Sequence, residues 1–153
     1  MRIELLQLQT RFELDEHALE RYVEWIMHRV RDLDDAFTWT ELSLVLTDDT
    51  IRDLNREWFG IDVATDVISF AYPDDALGAG DTGEVIVNVQ RAREEGSRRG
   101  SPDAELALYI AHGCHHLTGA EDDTPERKRA MLDLEDAWVR EADTLNLCGP
   151  FFR

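Results

Sequence analysis

The sequence predicts an α+β domain, in which a four-stranded mixed sheet packs against about five helices. One observation behind this prediction is that four short segments, between about residues 2 and 89, have the apolar pattern of strands. The other is that longer segments with helical apolar spacing lie between and after them without strict alternation. With 153 residues, the chain is long enough for a single domain spanning residues 1–153.

The strands are predicted from short apolar runs that end at turn-forming residues. Residues 2–8 alternate weakly between apolar and polar side chains, whereas residues 42–46 and 85–89 alternate cleanly, as half-buried strands do. Residues 66–70 are mostly apolar, which is typical of a buried strand. The loop after this run contains five turn-forming residues: Pro73, Asp74, Asp75, Gly78 and Gly80.

The first two helices are predicted from apolar spacing and from residues that favour a helix start. The second helix has Asp48 or Asp49 as its N-cap and runs to about Trp58. The first helix begins near Asp15, and its apolar positions follow at 3.6-residue spacing: Leu19, Tyr22, Val23, Ile26, Val30 and Leu33.

The other three helices lie in the second half of the chain. The third passes through residues 91–95 and ends at Gly96. The fourth and fifth begin alike, at residues 101–103 (Ser-Pro-Asp) and 124–126 (Thr-Pro-Glu), each with a hydroxyl N-cap, a proline and an acid. The fourth runs to about residue 118. The fifth carries one apolar face: Met131, Leu134, Trp138, Ala142 and Leu145.

Charge is the strongest compositional constraint on the partners of this protein. The net charge is −17, from 33 acidic and 16 basic residues, and such a charge resists nonspecific binding to polyanions. Basic residues are nevertheless concentrated at residues 91–99 and 127–129. A nucleic acid would therefore have to bind at a local basic region rather than over the whole surface.

The sequence gives no sign of a membrane segment or of an oxidising compartment. No apolar run approaches the ~18 residues that a membrane span needs, and the N-terminal segment lacks the apolar core of a signal peptide. We therefore expect a cytoplasmic protein. Cys114 and Cys148 are too few for a disulfide framework and are expected to be free thiols.

The strongest chemical signal is a pair of histidines, His112 and His116, in the predicted fourth helix. A spacing of four residues places both imidazoles on one helical face. Gly119 can end the helix and turn the chain, so that Asp122 meets the pair. The neighbouring His115 points to another side of the helix and is not expected to be a ligand.

Two imidazoles and a carboxylate are the protein ligands of a catalytic zinc site with one open position. The sequence therefore predicts one Zn²⁺, or another divalent transition metal, per chain, held by His112, His116 and Asp122. Glu121 and Asp123 flank this aspartate, and either is an alternative ligand. Water in the open position would have its pKa lowered toward ~7 and could attack a phosphodiester, a peptide or an amide.

A wider pattern of residues surrounds this segment. The segment itself contributes His112, Gly113, His116, Leu117 and Gly119. Other members of the pattern are Asn55, Gly60, residues 65–70 (Thr-Asp-Val-Ile-Ser-Phe), residues 83–87 (Gly-Glu-Val-Ile-Val), Met131 and Glu135. In these positions the chain resembles the YbeY family, whose histidine motif is His-Gly-x-Leu-His-Leu-x-Gly-Tyr-Asp-His. The resemblance covers nearly the whole chain.

The resemblance implies a specific activity. Members of that family are single-domain, metal-dependent endoribonucleases specific for single-stranded RNA, which act in 16S ribosomal-RNA maturation and ribosome quality control. The implied partners of this chain are ribosomal RNA and the small ribosomal subunit, without a membrane.

Four departures from the family pattern affect these expectations. Asp122 stands where the family has its third histidine, so a carboxylate would replace an imidazole ligand and alter the metal preference. His115 replaces a leucine, and Ala120 replaces a tyrosine beside the site. Phe59 replaces an arginine, which is the natural candidate for binding a phosphate or stabilising charge in the transition state.

Several residues are candidates for catalytic roles beside the metal. Arg56, one helical turn before the position of the missing arginine, is either its substitute or a surface residue of the helix. Asp66 and Ser69 either line the cleft or hydrogen-bond to neighbouring backbone. Asp66, Glu121 and Asp123 are the candidates for a general base. Four tryptophans are expected to be packing residues rather than stacking platforms for bases: Trp25, Trp39, Trp58 and Trp138.

Two other functions compete with the endoribonuclease. Zinc metallopeptidases of the His-Glu-x-x-His type carry their general base directly after the first histidine, but here that residue is Gly113, which has no side chain to accept a proton. A catalytically weakened, metal-binding factor associated with the ribosome is favoured by the missing arginine and the altered ligand. The motifs favour the endoribonuclease over both.

Overall fold

The computed structural model of the protein describes residues 1–74, 78 and 80–153, and this part of the chain contains four strands and five helices. In chain order these elements are β1 (Arg2–Gln7), α1 (Glu16–Leu33), β2 (Trp39–Thr47), α2 (Ile51–Phe59), β3 (Val67–Tyr72), β4 (Asp81–Asn88), α3 (Val89–Arg99), α4 (Pro102–His116) and α5 (Pro125–Thr144). The predicted α+β class is confirmed.

The four strands form one mixed sheet in the order β1-β2-β4-β3. β1 pairs in parallel with β2, and β2 in parallel with β4, whereas β3 is antiparallel to β4. A parallel pair needs a crossover connection, and α1 supplies it between the first two strands. β3 is therefore an edge strand, which leaves one of its sides open to solvent or to neighbouring helices.

The core lies mainly on the face of the sheet that α1 and α4 cover. Alternation in β2 and β4 points Leu42, Leu44, Val85 and Val87 into this large cluster. The opposite face carries a small cluster in which α2 packs on the sheet: Val45, Ile51, Ile68 and Ile86. α4 contacts α1, α3, α5, β3 and β4, so the helix that carries the paired histidines is central and held on several sides.

The ends of α2 and α3 differ from the predictions. α3 does not end at Gly96 but continues to Arg99, and Gly100 follows it with φ 118°. A Cβ on Gly96 would lie 2.3 Å from the Pro102 Cα, so glycine is needed there for the close contact with the start of α4. The N-cap of α2 is Thr50 rather than either aspartate, and its side chain makes no capping hydrogen bond.

Several predicted burial assignments also differ. Leu33 and Leu145 are about half exposed, because each lies at the very end of its helix. Trp39 and Trp138 are buried and Trp25 packs against the core, as predicted, but Trp58 is 63% exposed, so its predicted packing role is wrong. Within the predicted loop, Asp75 lies outside the described residues.

Two expectations about chemistry outside the site can also be compared with the structure. Cys114 and Cys148 are both free thiols, as predicted. None of the helices in the described part of the chain combines the length and the apolar character that crossing a membrane would need.

Candidate metal centre

The paired histidines lie in the last turn and a half of α4. Ser101 caps the start of this helix by accepting a hydrogen bond from the Ala104 N–H at 3.1 Å, and Pro102 occupies its first turn. The rings of His112 and His116 lie on one face, with centroids 4.4 Å apart and planes at 82°. The predicted convergence of the two imidazoles is therefore present in the fold.

A tight turn after α4 returns the chain toward these rings. The helix ends at His116, and Gly119 follows with φ 84°, a left-handed conformation that favours glycine. Thr124 then caps α5 by accepting from the Arg127 N–H at 3.2 Å. Between these two points, Asp122 directs its carboxylate at the histidine pair.

The three side chains bring one ligand atom each to a common point. The Nε2 atoms of His112 and His116 are 3.0 Å apart, and the Oδ2 atom of Asp122 lies 3.4 and 3.5 Å from them, respectively. Ligands placed tetrahedrally at zinc's bond lengths of ~2.0–2.2 Å would stand roughly 3.3–3.6 Å apart. His112, His116 and Asp122 therefore form a group that could hold a metal ion.

The hydrogen bonds on the far side of each ring support this fit. The Nδ1 atom of His112 faces the Glu135 carboxylate at 2.7 Å, and the Nδ1 atom of His116 faces the Ala120 carbonyl oxygen at 2.9 Å. Because both partners are acceptors, each Nδ1 carries the proton and each Nε2 presents a lone pair. Two lone pairs 3.0 Å apart repel each other unless a proton or a metal cation lies between them.

Glu135 is the residue of the site that the sequence analysis did not identify as functional. Its side chain is fully buried in α5, and it accepts a hydrogen bond from His112 through Oε1 and from His115 through Oε2, each at 2.7 Å. His115 thus supports the centre from behind rather than ligating. One signal was available, because Glu135 falls on the helical stripe of α5 that the fold buries, with Met131, Trp138 and Ala142.

Burial and hydrogen bonding act in opposite directions on these groups. Burial lowers the pKa of His112, but the hydrogen bond and negative charge of Glu135 outweigh it, so the pKa of His112 lies above its ordinary value. Burial raises the pKa of the Glu135 carboxyl, yet the hydrogen bonds from the two imidazoles bring it below its ordinary value. The carboxylate therefore stays ionised beneath the site.

Gly113 explains how closely the histidine helix approaches the sheet. A Cβ at this position would lie 2.6 Å from Val85 Cγ1 and 2.7 Å from Val67 Cγ2. At the same point, the Ser69 hydroxyl donates to the Gly113 carbonyl oxygen at 2.7 Å. Ser69 therefore links β3 to α4 through this hydrogen bond.

The other two predicted catalytic candidates lie at different distances from the centre. Asp66 lines the same cleft as the histidines, where its carboxylate pairs with Arg91 Nε at 2.6 Å. Arg56 is well exposed and pairs with Asp53 and Asp62, at 3.0 and 3.6 Å. Its guanidinium is therefore engaged at the surface of α2.

The alternative ligands beside Asp122 are engaged elsewhere. Glu121 and Asp123 each accept a hydrogen bond from Arg127 Nη1 at 2.9 Å. Their carboxylates point toward this arginine while Asp122 faces the imidazoles. Of these three consecutive acids, the middle one thus faces the imidazoles and the other two face Arg127.

Two cavities meet at His116. The main cleft, of about 510 Å³, contains His112, His116 and Asp122, and Arg99 and Lys128 also line it. One of these cations comes from each of the two basic segments of the sequence. The side cavity, of about 300 Å³, lies next to it and is lined by Asn55, Phe59, Thr65, Val67, Ile68, Ser69 and His116.

Comparison with known protein families identifies the family of the chain. The sequence model of one protein family, described as "Endoribonuclease YbeY", matches residues 4–143 of the chain. The chain belongs to the YbeY family. The family resemblance drawn from the motifs is thereby confirmed.

Individual relatives of the YbeY family agree with this membership. A protein named Endoribonuclease YbeY from Anaeromyxobacter dehalogenans is 43% identical over 105 residues, which are 65% of this chain, and the chain spans about half (53%) of that relative. One with the same name from Acetivibrio thermocellus is 30% identical over 163 residues, covering 96% of this chain and 98% of the relative. The solution structure of TM1509 from Thermotoga maritima superposes with a TM-score of 0.59 at 21% identity, covering 95% and 94% of the two chains, and thus shares the fold.

The geometry makes a direct prediction about the third ligand of this YbeY chain. Asp122→Ala should weaken Zn²⁺ binding by about 100-fold or more, because losing a residue that only hydrogen-bonds to a metal ligand already lowers metal affinity about 10- to 100-fold. Asp123→Ala is the matched control, since its carboxylate pairs with Arg127. Competition titration against a chromogenic chelator measures both. The reverse order of affinities would assign the ligand to Asp123.

Proposed function

We propose that the chain is a metal-dependent endoribonuclease that holds one divalent cation, Zn²⁺ or another transition metal, between His112, His116 and Asp122. The observation that carries the proposal is the approach of three ligand atoms to within 3.0 to 3.5 Å while both outer imidazole nitrogens face acceptors. A neutral imidazole that donates from its outer nitrogen has only its inner nitrogen left as an acceptor or a metal ligand. Here both inner nitrogens point at each other and at a carboxylate.

The chemistry divides between the cation and the surrounding side chains. A cation bound there supplies Lewis acidity toward a phosphate oxygen and lowers the pKa of a coordinated water. Glu135 keeps the proton of His112 on Nδ1, and the Ala120 carbonyl does the same for His116. Arg99 and Lys128 bring positive charge to the wall of the main cleft, where the phosphates of a strand would lie.

The substrate proposal follows from the family and from these local charges. The family and its relatives are named endoribonucleases, which supports RNA as the substrate. A net charge of −17 disfavours broad contact with a polyanion, so binding would depend on the two cations of the cleft. Within this function we propose cleavage of single-stranded ribosomal RNA, in 16S maturation and ribosome quality control, on the small subunit in the cytoplasm.

One observation favours a second candidate function. Phe59 occupies the position that the resemblance gives to an arginine, and Arg56 is held by Asp53 and Asp62 at the surface. A chain without that positive charge could bind metal and the ribosome yet cleave slowly. The peptidase alternative gains no support, because Gly113 is packed against Val85 and Val67 and leaves no room for a base.

Metal-loaded protein incubated with a ribosomal-RNA fragment, in single-stranded and duplex form, tests the proposal. We expect cleavage of the single strand, its loss in chelator and its return with added Zn²⁺ or Mn²⁺. His116→Ala purified in parallel controls for contaminating ribonucleases, and casein controls for peptidase activity. Stoichiometric metal without cleavage would support the second function. Cleavage that survives both the chelator and His116→Ala would contradict the proposal.

A further inference from the structure

A surface of four aromatic side chains lies on the α2 side of the sheet, and one of its members lines a cavity together with His116. It consists of Trp58 and Phe59 at the end of α2 and Phe70 and Tyr72 on β3, and we refer to it as the aromatic surface. Trp58, Phe59 and Tyr72 are 63%, 51% and 52% exposed. So much apolar area in one place on the surface is a sign of a binding function, whereas single exposed apolar residues are ordinary.

The rings are arranged in layers rather than in a random cluster. Phe59 stacks on Phe70 with centroids 6.0 Å apart and planes at 9°, and Phe70 stacks on Tyr72 at 6.4 Å and 25°. Trp58 meets the edge of Phe70 at 5.5 Å and 60°. Phe70 also packs on the small core cluster, so the central ring is anchored while its neighbours present faces to solvent.

Two elements fix the position of this surface. Phe70 and Tyr72 are two residues apart on β3 and therefore share one face of the sheet. Gly60 ends α2 directly after Phe59 with φ 69°, and its N–H donates to the Arg56 carbonyl oxygen. The rings are thus held by regular structure on both sides.

The aromatic surface approaches the metal centre at Phe59, across the edge strand β3 from α4. Phe59 and His116 line the same side cavity, and His116 also lines the main cleft. None of the described residues that line the side cavity carries a carboxylate, although acids outnumber bases by 33 to 16 in the chain. A polyanion that reaches the metal centre can therefore extend toward Phe59 along the edge of β3 without passing an acidic wall.

We propose that the aromatic surface stacks the unpaired bases that flank the phosphodiester at the metal centre, with Phe59 as the residue nearest the cleft. This inference rests on the proposed function, and it names the feature of RNA that is recognised. Stacking on aromatic rings accepts every base, but only when the base face is free, as in single strands and loops. At this position, base stacking on Phe59 thus replaces the phosphate contact that an arginine would make in the family pattern.

The test measures RNA binding separately from cleavage. Full-length, metal-loaded protein is titrated with a short single-stranded RNA whose phosphorothioate linkages slow hydrolysis, and a gel checks that the strand stays intact. Phe59→Leu should weaken binding about 5- to 100-fold, the effect of losing one base stack. Phe59→Tyr keeps the ring and should bind within about threefold of the wild type. Leu33→Ala removes a similarly exposed apolar side chain from the end of α1 and should bind like the wild type.

An abasic series in the same RNA locates the stacked base. Removing single bases in turn should weaken wild-type binding at one or two positions, and Phe59→Leu should abolish that position dependence. Tryptophan fluorescence gives an independent signal, because Trp58 is exposed while Trp39 and Trp138 are buried. RNA should quench the emission of the wild type, and Trp58→Phe should remove most of that quenching.

The outcomes separate this inference from the proposed function. Unchanged RNA binding by Phe59→Leu would overturn the inference, whether or not the wild type cleaves. Binding that depends on Phe59 in a protein that fails to cleave would retain the inference and remove the endoribonuclease. A wild type that sediments as a dimer while Phe59→Leu is a monomer would assign the surface to a second copy and overturn the inference. Reduced affinity of Phe59→Leu for ribosomal proteins alone would overturn it too.

Discussion

His112→Ala and His116→Ala are each expected to lose the bound metal and, with it, RNA cleavage. Each substitution removes one of three protein ligands and leaves two, which is too few for a stable site of this kind. Mutating a residue that only hydrogen-bonds to a metal ligand typically lowers metal affinity about 10- to 100-fold. Removing a ligand itself should therefore lower metal affinity by more than about 100-fold. Elemental analysis should give about one metal per chain for the wild type and a small fraction of that for each variant.

The control for this experiment is His28→Ala, which removes an exposed histidine from α1. It should keep full metal content and full cleavage. In chelator, His116→Ala and His28→Ala should unfold thermally much like the wild type, because the outer nitrogen of His116 faces only the Ala120 carbonyl. His112→Ala should unfold at a lower temperature, because it removes one of the two imidazoles that hydrogen-bond to the buried Glu135 carboxylate. If both alanine variants at the site retain stoichiometric metal, the cation is bound elsewhere.

Glu135→Gln is expected to weaken both the metal centre and the fold. The glutamine amide can accept from only one imidazole, and its NH₂ group then faces the second Nδ1–H, donor against donor. If His112 changes tautomer to accept this hydrogen bond, its Nε2 carries the proton and cannot ligate. We expect metal affinity to fall about 10- to 100-fold and the free energy of unfolding to fall by about 1.5–3 kcal/mol, as when a hydrogen bond to a buried charged group is lost.

The matched control is Glu105→Gln, which changes the other buried glutamate of the helical layer. Glu105 pairs with Arg99 at 3.5 Å and does not contact the histidines. This variant should change the free energy of unfolding by a smaller amount and leave metal affinity unaltered. Isothermal titration with Zn²⁺ and urea unfolding measure the two quantities. Equal metal affinity for the wild type and Glu135→Gln would show that the carboxylate serves packing alone.

The three proposed metal ligands could be predicted from the sequence. His112, His116 and Asp122 are near each other along the chain, so a helical spacing and a turn at Gly119 were enough to bring them together. The mixed sheet also followed from local patterns. Longer-range partners could not be deduced in this way: the contact between Glu135 and His112 spans 23 residues and depends on how α5 docks on α4.

The exposure of Trp58 at the end of α2 could not be predicted from local sequence patterns either. Trp58 is an apolar residue, and apolar residues are usually buried, so a packing role was the natural prediction. Its real environment depends on the strand order, which places β3 at the edge of the sheet beside that helix. An alternation of apolar and polar residues predicts a strand, but it predicts neither the order of the strands nor which strand lies at the edge of the sheet.

The position of Glu135 along the chain also affects when the proposed metal centre could form during synthesis. Two of the proposed ligands come from α4 and one from the following turn, but the orientation of His112 depends on a carboxylate in α5. A nascent polypeptide that has emerged only as far as Asp122 has all three ligands and lacks this support. We therefore expect the proposed metal centre to be completed only once α5 has emerged, so that a half-made chain would lack the proposed activity on the ribosome that is making it.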